Sequence, residues 1–247
     1  RPHEAYALHV LDATLALINR YHQRGRSTGR PVDFVLVTGD ITDNAQYNEL
    51  RWFIDTMDGR RVNPDSGALD GPLRDIDPAD NPNLPFDAVG LDKDIPWYAA
   101  VGNHDTTCLG NFHIDRSAED PTEWEAKQVG LIGDLSGLGE LDPPQDALIP
   151  TLDQSPAVIT ADEEHIDPDD YQLRMDALQA GPIPIDLDRH FVSNRMIMSQ
   201  HYKTASLPLG HGFGGVNGLL GHARYSFRPN KNVPLKVIVL DSAGPDA

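Results

Sequence analysis

Two short polar runs carry the residue types that chemistry needs: Gly39-Asp40-Ile41-Thr42-Asp43 and Gly102-Asn103-His104-Asp105. Asp40 follows an apolar run and a glycine, and a glycine lets the backbone turn sharply enough to aim the next carboxylate into a cleft. Carboxylate oxygens in such a place hold hard or borderline cations, and one carboxylate can bridge two of them. The same residues also suit an ordinary turn in which Asp40 or Asp43 caps the next helix. The second run asks more of its surroundings. Asn103 can offer an amide oxygen to a metal, His104 can give a proton to a leaving oxygen, and Asp105 can orient that imidazole and raise its basicity. Its plainer reading is a polar turn whose His104 and Asp105 satisfy nearby backbone groups.

Those runs have to be positioned by the elements around them. Leu8, Leu11, Leu15 and Ile18 recur at helical spacing, with Val10 and Leu17 widening the stripe. This pattern predicts an amphipathic helix over residues 5–21, ended by Gly25 and the polar cluster at 27–31. Phe34, Val35, Leu36 and Val37 form a short apolar run bounded by Pro31 and Gly39, which suits a strand buried on both faces in a parallel sheet. Leu50, Phe53, Ile54 and Met57 then share one helical face and stop before Gly59, with Thr42, Asp43 and Asn44 as candidate caps. Residues 97–101 follow Pro96 and read as a second core strand that ends at Gly102. Both polar runs thus stand at carboxyl ends of strands, where open α/β sheets bind ligands, so they are expected to converge in space.

Two stretches lack periodicity. Residues 59–94 are rich in Pro, Gly, Asn and Asp and read as an irregular surface excursion, too long for an ordinary connection. Residues 109–190 read as an insertion or cap with one helix at 169–180. Farther on, 193–202 is expected to be helical, and 224–227 and 235–240 to be strands.

A length of 247 residues with 39% hydrophobic side chains supports one domain. Against 20 Lys and Arg stand 38 Asp and Glu, a net charge of −18, which disfavours a nucleic acid polymer as partner and otherwise reads as a solubilising surface. No apolar run approaches the roughly 20 residues of a membrane span. Cys108 is the single cysteine, so no internal disulfide forms, and both cytoplasm and a secreted state stay open.

Taken together, Gly39-Asp40-Ile41-Thr42-Asp43 and Gly102-Asn103-His104-Asp105 resemble the calcineurin-like metallophosphoesterase superfamily, whose pattern places Gly-Asp-x-x-Asp after the second core strand and Gly-Asn-His-Asp or Glu after the third. The stretch 42–59, with Asn48-Glu49-Leu50-Arg51-Trp52-Phe53-Ile54-Asp55, resembles a bacterial subgroup with long inserts, and Val239-Leu240-Asp241-Ser242 resembles the later strand end. The resemblance implies a four-layer α/β/β/α sandwich with two divalent or mixed-valence metals (Mn, Fe or Zn) at strand ends. Asp40 would bridge both metals and Asn103 would bind the second. A metal-bound hydroxide would attack a small phosphoester in line, with His104 assisting the leaving group and Asp105 behind it. Gly39, Gly102 and Asp43 would shape the turns.

This chain departs from that pattern at both ends. No Asp-x-His stands ahead of the first helix, the sequence's Asp188-Arg189-His190 lying far beyond both runs, and neither Gly210-His211-Gly212 nor Gly221-His222-Ala223 has the second histidine of Gly-His-x-His; both read as loops, with His211 a candidate for the substrate cleft. The resemblance therefore implies a partial domain over 1–247, truncated at both ends, that alone binds metal poorly, turns over little substrate and has a gap in its sheet. A rival reading is a catalytically degenerate scaffold that binds proteins. A nucleotide-binding α/β fold finds no phosphate loop here.

Overall fold

The computed structural model describes residues 6–65, 81–108, 110, 112–113, 186, 188–214, 221–229 and 234–241. They form a mixed α/β arrangement. Helix α1 (Ala7–Thr28) buries Leu15, His22 and Gly25. It runs past the expected end because Gly25 is a point of close approach and not a stop. A Cβ on Gly25 would lie 2.2 Å from the Arg30 carbonyl oxygen, and the Arg30 N–H donates to the Gly25 carbonyl at 2.8 Å. The helix closes instead at Gly29, whose φ of +74° is the left-handed cap that glycine adopts without steric cost.

Strand β1 (Val35–Val37) leads to helix α2 (Tyr47–Met57), whose Leu50, Ile54 and Met57 are fully buried, as their spacing predicts. Strands β2 (Arg61–Val62) and β3 (Phe86–Asp87) pair antiparallel. The ends of the 59–94 stretch are therefore part of the body, with Val62, Ala88 and Leu91 buried. Strand β4 (Trp97–Ala99) pairs parallel with β1, Val35 opposite Trp97 and Val37 opposite Ala99. Parallel pairing is as expected, but β1 is only half-buried. Along the other edge of β4 runs the segment 207–211, which accepts from the Trp97 N–H at Leu207 O and from the Ala99 N–H at His211 O, 2.9 and 3.0 Å. Among the described residues, no strand pairs with the other edge of β1.

After β4 come the single turn α3 (Asn103–Thr106) and the antiparallel pair β5 (Thr107–Cys108) and β6 (Phe112–His113). Helix α4 (Asn194–Gln200) falls inside the predicted 193–202, capped by Ser193, whose hydroxyl accepts from the Met196 N–H at 3.3 Å. Strands β7 (Tyr225–Phe227) and β8 (Val237–Val239) pair antiparallel, within the two predicted segments. The helix expected at 169–180, like most of 109–190, lies outside the described residues. Leu15, Leu50, Ile54, Trp97, Ala99, Ile197, Met198 and Phe213 make one core, with α1 against α2 and α4 beside it.

Glycine-to-alanine in a helix ordinarily stabilises by roughly 1 kcal/mol. Gly25→Ala is expected to do the reverse, costing roughly 1–3 kcal/mol because the new methyl meets backbone. Urea unfolding of the two proteins measures the sign.

Candidate metal-binding and catalytic site

The carboxyl ends of β1 and β4 touch because two glycines let them. Gly39 has φ +108°, and a Cβ there would stand 2.7 Å from the Gly102 nitrogen; a Cβ on Gly102 would stand 2.1 Å from Asp40 Oδ1. Asp40 takes φ +54°. For a residue with a Cβ this left-handed backbone costs roughly 1–2 kcal/mol. The carboxylate it places accepts from the His104 N–H at 3.1 Å and stays exposed. The two polar runs are thereby brought together, as their positions after strands imply.

Asp105 has a different job from the one its neighbour suggests. It is 1% exposed. One oxygen accepts from the Thr42 N–H at 2.8 Å and lies 3.3 Å from the Thr42 hydroxyl, while the other accepts from the Gly102 N–H at 2.8 Å. Asp105 therefore ties the two loops through their backbones, and among the described residues it makes no hydrogen bond to the His104 ring. Burial holds its carboxyl above the usual range, the Gly102 and Thr42 N–H groups work against this, and the nearby Asp40 charge adds to it.

The partner of the imidazole is Asp43, which sequence reasoning left as a turn residue. His104 Nδ1 lies 3.0 Å from the Asp43 carbonyl oxygen and 3.2 Å from its carboxylate. With acceptors on that side, Nδ1 carries a proton and Nε2 is the working nitrogen. Gly110 cradles the ring's other side: a Cβ there would sit 2.5 Å from His104 Nε2 and 2.6 Å from Asn103 Nδ2. The Asn103 amide nitrogen donates to the Gly110 carbonyl at 2.9 Å, which fixes the amide oxygen on the opposite side of the group. Gly110 was not legible as a site residue, since only its packing marks it.

Behind Asp43 stands Glu49, the third residue of α2. It reaches back to the backbone N–H groups of Asp43, Asn44 and Gln46 at 3.2, 3.0 and 3.4 Å, so Gln46 and Glu49 form the capping box, and not Thr42, Asp43 or Asn44. Burial pushes the Glu49 carboxyl up to about 7, opposed by those N–H groups and reinforced by the Asp43 charge. The loop is also pinned from outside: Val192 N–H donates to Ala45 O and Tyr47 N–H to His190 O, each at 2.9 Å.

His211 does not line a cleft. It is fully buried, stacked on Trp97 with ring centroids 3.4 Å apart, and its Nδ1 lies 2.9 Å from Nδ1 of buried His201. The Thr204 hydroxyl donates to Asp58 Oδ1 at 2.7 Å, so its oxygen accepts from His211 Nε2 at 3.3 Å. His211 Nδ1 is then an acceptor and His201 Nδ1 the donor, which leaves His201 Nε2 a buried lone pair without a partner among the described residues. Burial keeps both rings neutral, pushing His211 down to about 3.

Asp40 and Asn103 fit a hard cation as part of a donor set: an exposed carboxylate and an oriented amide oxygen. Among the described residues, the gathering of three His, Cys, Asp or Glu donors lies elsewhere, at His22, Asp92 and Asp94, and that cluster can hold a metal ion. No family model, curated protein or solved structure matches the chain.

Between pH about 4.5 and about 7 the folded protein binds more protons at Glu49 than the unfolded chain does. The stability this proton supplies is full below that window and lost as pH rises through it. Glu49→Gln, neutral throughout, is expected to flatten that part of the urea-midpoint profile against pH, and an unchanged slope would assign the dependence to other groups.

Proposed function

We propose that this chain carries part of the catalytic centre of a metal-dependent phosphoester hydrolase built on a four-layer α/β/β/α sandwich. The observation that carries the reading is the junction of Asp40 with the 102–105 run at the ends of adjacent parallel strands, sealed by the His104 N–H to Asp40 Oδ1 bond of 3.1 Å. The substrate class is a small phosphoester, since a net charge of −18 repels polyanions.

Asp40 and Asn103 would supply part of the donor set for two divalent or mixed-valence ions of Mn, Fe or Zn, which when bound would supply positive charge to the entering and departing oxygens and lower the pKa of water for attack. The chain's own residues supply position and the proton. With one oxygen held by the His104 N–H, the Asp40 carboxylate has a fixed plane, and the Gly110 contact does the same for the Asn103 amide. His104 acts in its doubly protonated form. Asp43 accepts from Nδ1 and stabilises the imidazolium, and the Nε2 proton goes to the departing oxygen. Asp105 takes no part in proton transfer, because both oxygens are occupied in holding the loops.

Hydrolysis of a chromogenic phosphomonoester and phosphodiester by the full-length protein, with Mn²⁺ or with chelator, tests the reading. Activity is expected to need metal and to fall at least ~100-fold in both Asp40→Asn and His104→Ala. Chelator-resistant turnover, or full activity in Asp40→Asn, overturns it; a wild type that binds no divalent metal and hydrolyses nothing points to a protein-binding scaffold. Two further variants separate the roles. Gly110→Ala, which removes no functional group, is expected to behave like His104→Ala. Asp43→Asn, which takes the carboxylate from beside Nδ1 and leaves the carbonyl, is expected to lower kcat with KM little changed, the mark of a group that positions the proton donor.

A further inference from the structure

The last turns of α1 and the turn that feeds β4 meet through a set of polar side chains. Asn19, His22, Gln23 and Arg26 share one face of the helix. Asn19 donates to Gly90 O and accepts from the Asp92 N–H, both at 2.8 Å, Gln23 donates to the Asp92 carboxylate and Arg26 to that of Asp94. The turn is itself rigid, with the Asp94 N–H on Asp92 Oδ1 at 3.0 Å and the Ile95 N–H on Asp92 O at 2.8 Å. Within this frame a nitrogen of His22 and oxygens of Asp92 and Asp94 all lie within 4.8 Å of one another.

His22 is the informative member. It is 4% exposed. Its Nδ1 faces the Val32 carbonyl at 3.2 Å and so carries the ring proton. That leaves Nε2 with a lone pair, buried, and without a partner among the described residues. A buried nitrogen acceptor of this kind is costly unless something donates to it or binds it. A ring whose far N–H is anchored on a backbone carbonyl is also the usual arrangement of a metal-ligating histidine.

We propose that His22, Asp92 and Asp94 form a site for a Zn²⁺-type divalent cation that pins α1 to the turn entering β4. One imidazole nitrogen and two carboxylate oxygens, completed by water, are a donor set that zinc accepts. Donors on one tetrahedral zinc stand about 3.3 Å apart, so binding draws the three together, chiefly through exposed Asp94. Arg26 occupies that carboxylate in the absence of a cation and competes with one. The site stands at the opposite end of β4 from Asn103 and is independent of the hydrolase reading.

The test is made in the full chain carrying Asp40→Ala and Asn103→Ala, which removes the donors proposed for the other site. Equilibrium dialysis against Zn²⁺ is expected to retain a single ion per chain, and Zn²⁺ to raise the thermal midpoint. Adding His22→Gln is expected to weaken retention by about tenfold or more and to abolish the Zn²⁺-dependent rise, measured against that variant's own midpoint in chelator. Adding Arg26→Ala, at an exposed position that a fold tolerates, is expected to tighten Zn²⁺ binding severalfold by freeing Asp94. Equal retention after His22→Gln, or binding that Arg26→Ala leaves unchanged or weakens, overturns the proposal. Either result leaves the hydrolase reading standing, because the assay background already lacks Asp40 and Asn103.

Discussion

Everything at the strand ends depends on one buried carboxylate. Asp105 reaches the backbone of both loops, Thr42 on one side and Gly102 on the other, from a position closed to water. Both bonds are charge-assisted when the group is ionised, and a buried acceptor left without them would carry a large desolvation cost. Parallel pairing of β1 and β4 brings the loops close, but pairing alone does not decide how they face. Asp105 does that, and Asp40 and His104 stand where they do as a result.

How far this was legible in the sequence follows from the range of each signal. The strand-glycine-carboxylate order around Asp40 and the Gly102-Asn103-His104-Asp105 run are local, and the structure brings them together as their positions imply. The helices α2 and α4 and the strands β7 and β8 were likewise written in periodicity and turn residues. What escaped were bonds between side chains and distant backbone. Asp105 to Thr42 spans 63 residues and His104 to Asp43 spans 61, and no local pattern encodes either. Adjacency in sequence suggested that Asp105 orients His104; on a tight turn, neighbouring side chains diverge, and Asp43 from the other loop fills that place.

The remaining departures have the same origin. Gly25 reads as a helix stop by type, yet its use is to let Arg30 fold back against the helix. His211, flanked by glycines, reads as a surface loop residue, yet the segment 207–211 lines the edge of β4 and turns that ring under Trp97. In both cases tertiary contact decided what the residue type left open. The buried histidine pair also shows a strict proton order: Asp58 fixes the Thr204 hydroxyl, Thr204 fixes His211, and His211 fixes His201.

The glycines at the site carry a consequence for how this protein tolerates change. Gly39, Gly102 and Gly110 contribute no functional group, yet each leaves a void the size of one methyl that a neighbour's backbone, carboxylate or ring already fills. What each position supplies is the absence of a side chain. A survey that scores residues by the chemistry of their side chains passes over all three, while any step away from glycine, however small, displaces Asp40, Asn103 or His104. The mutational target of the centre is thus larger than its list of reactive groups, and the added part is silent in every assay except replacement itself.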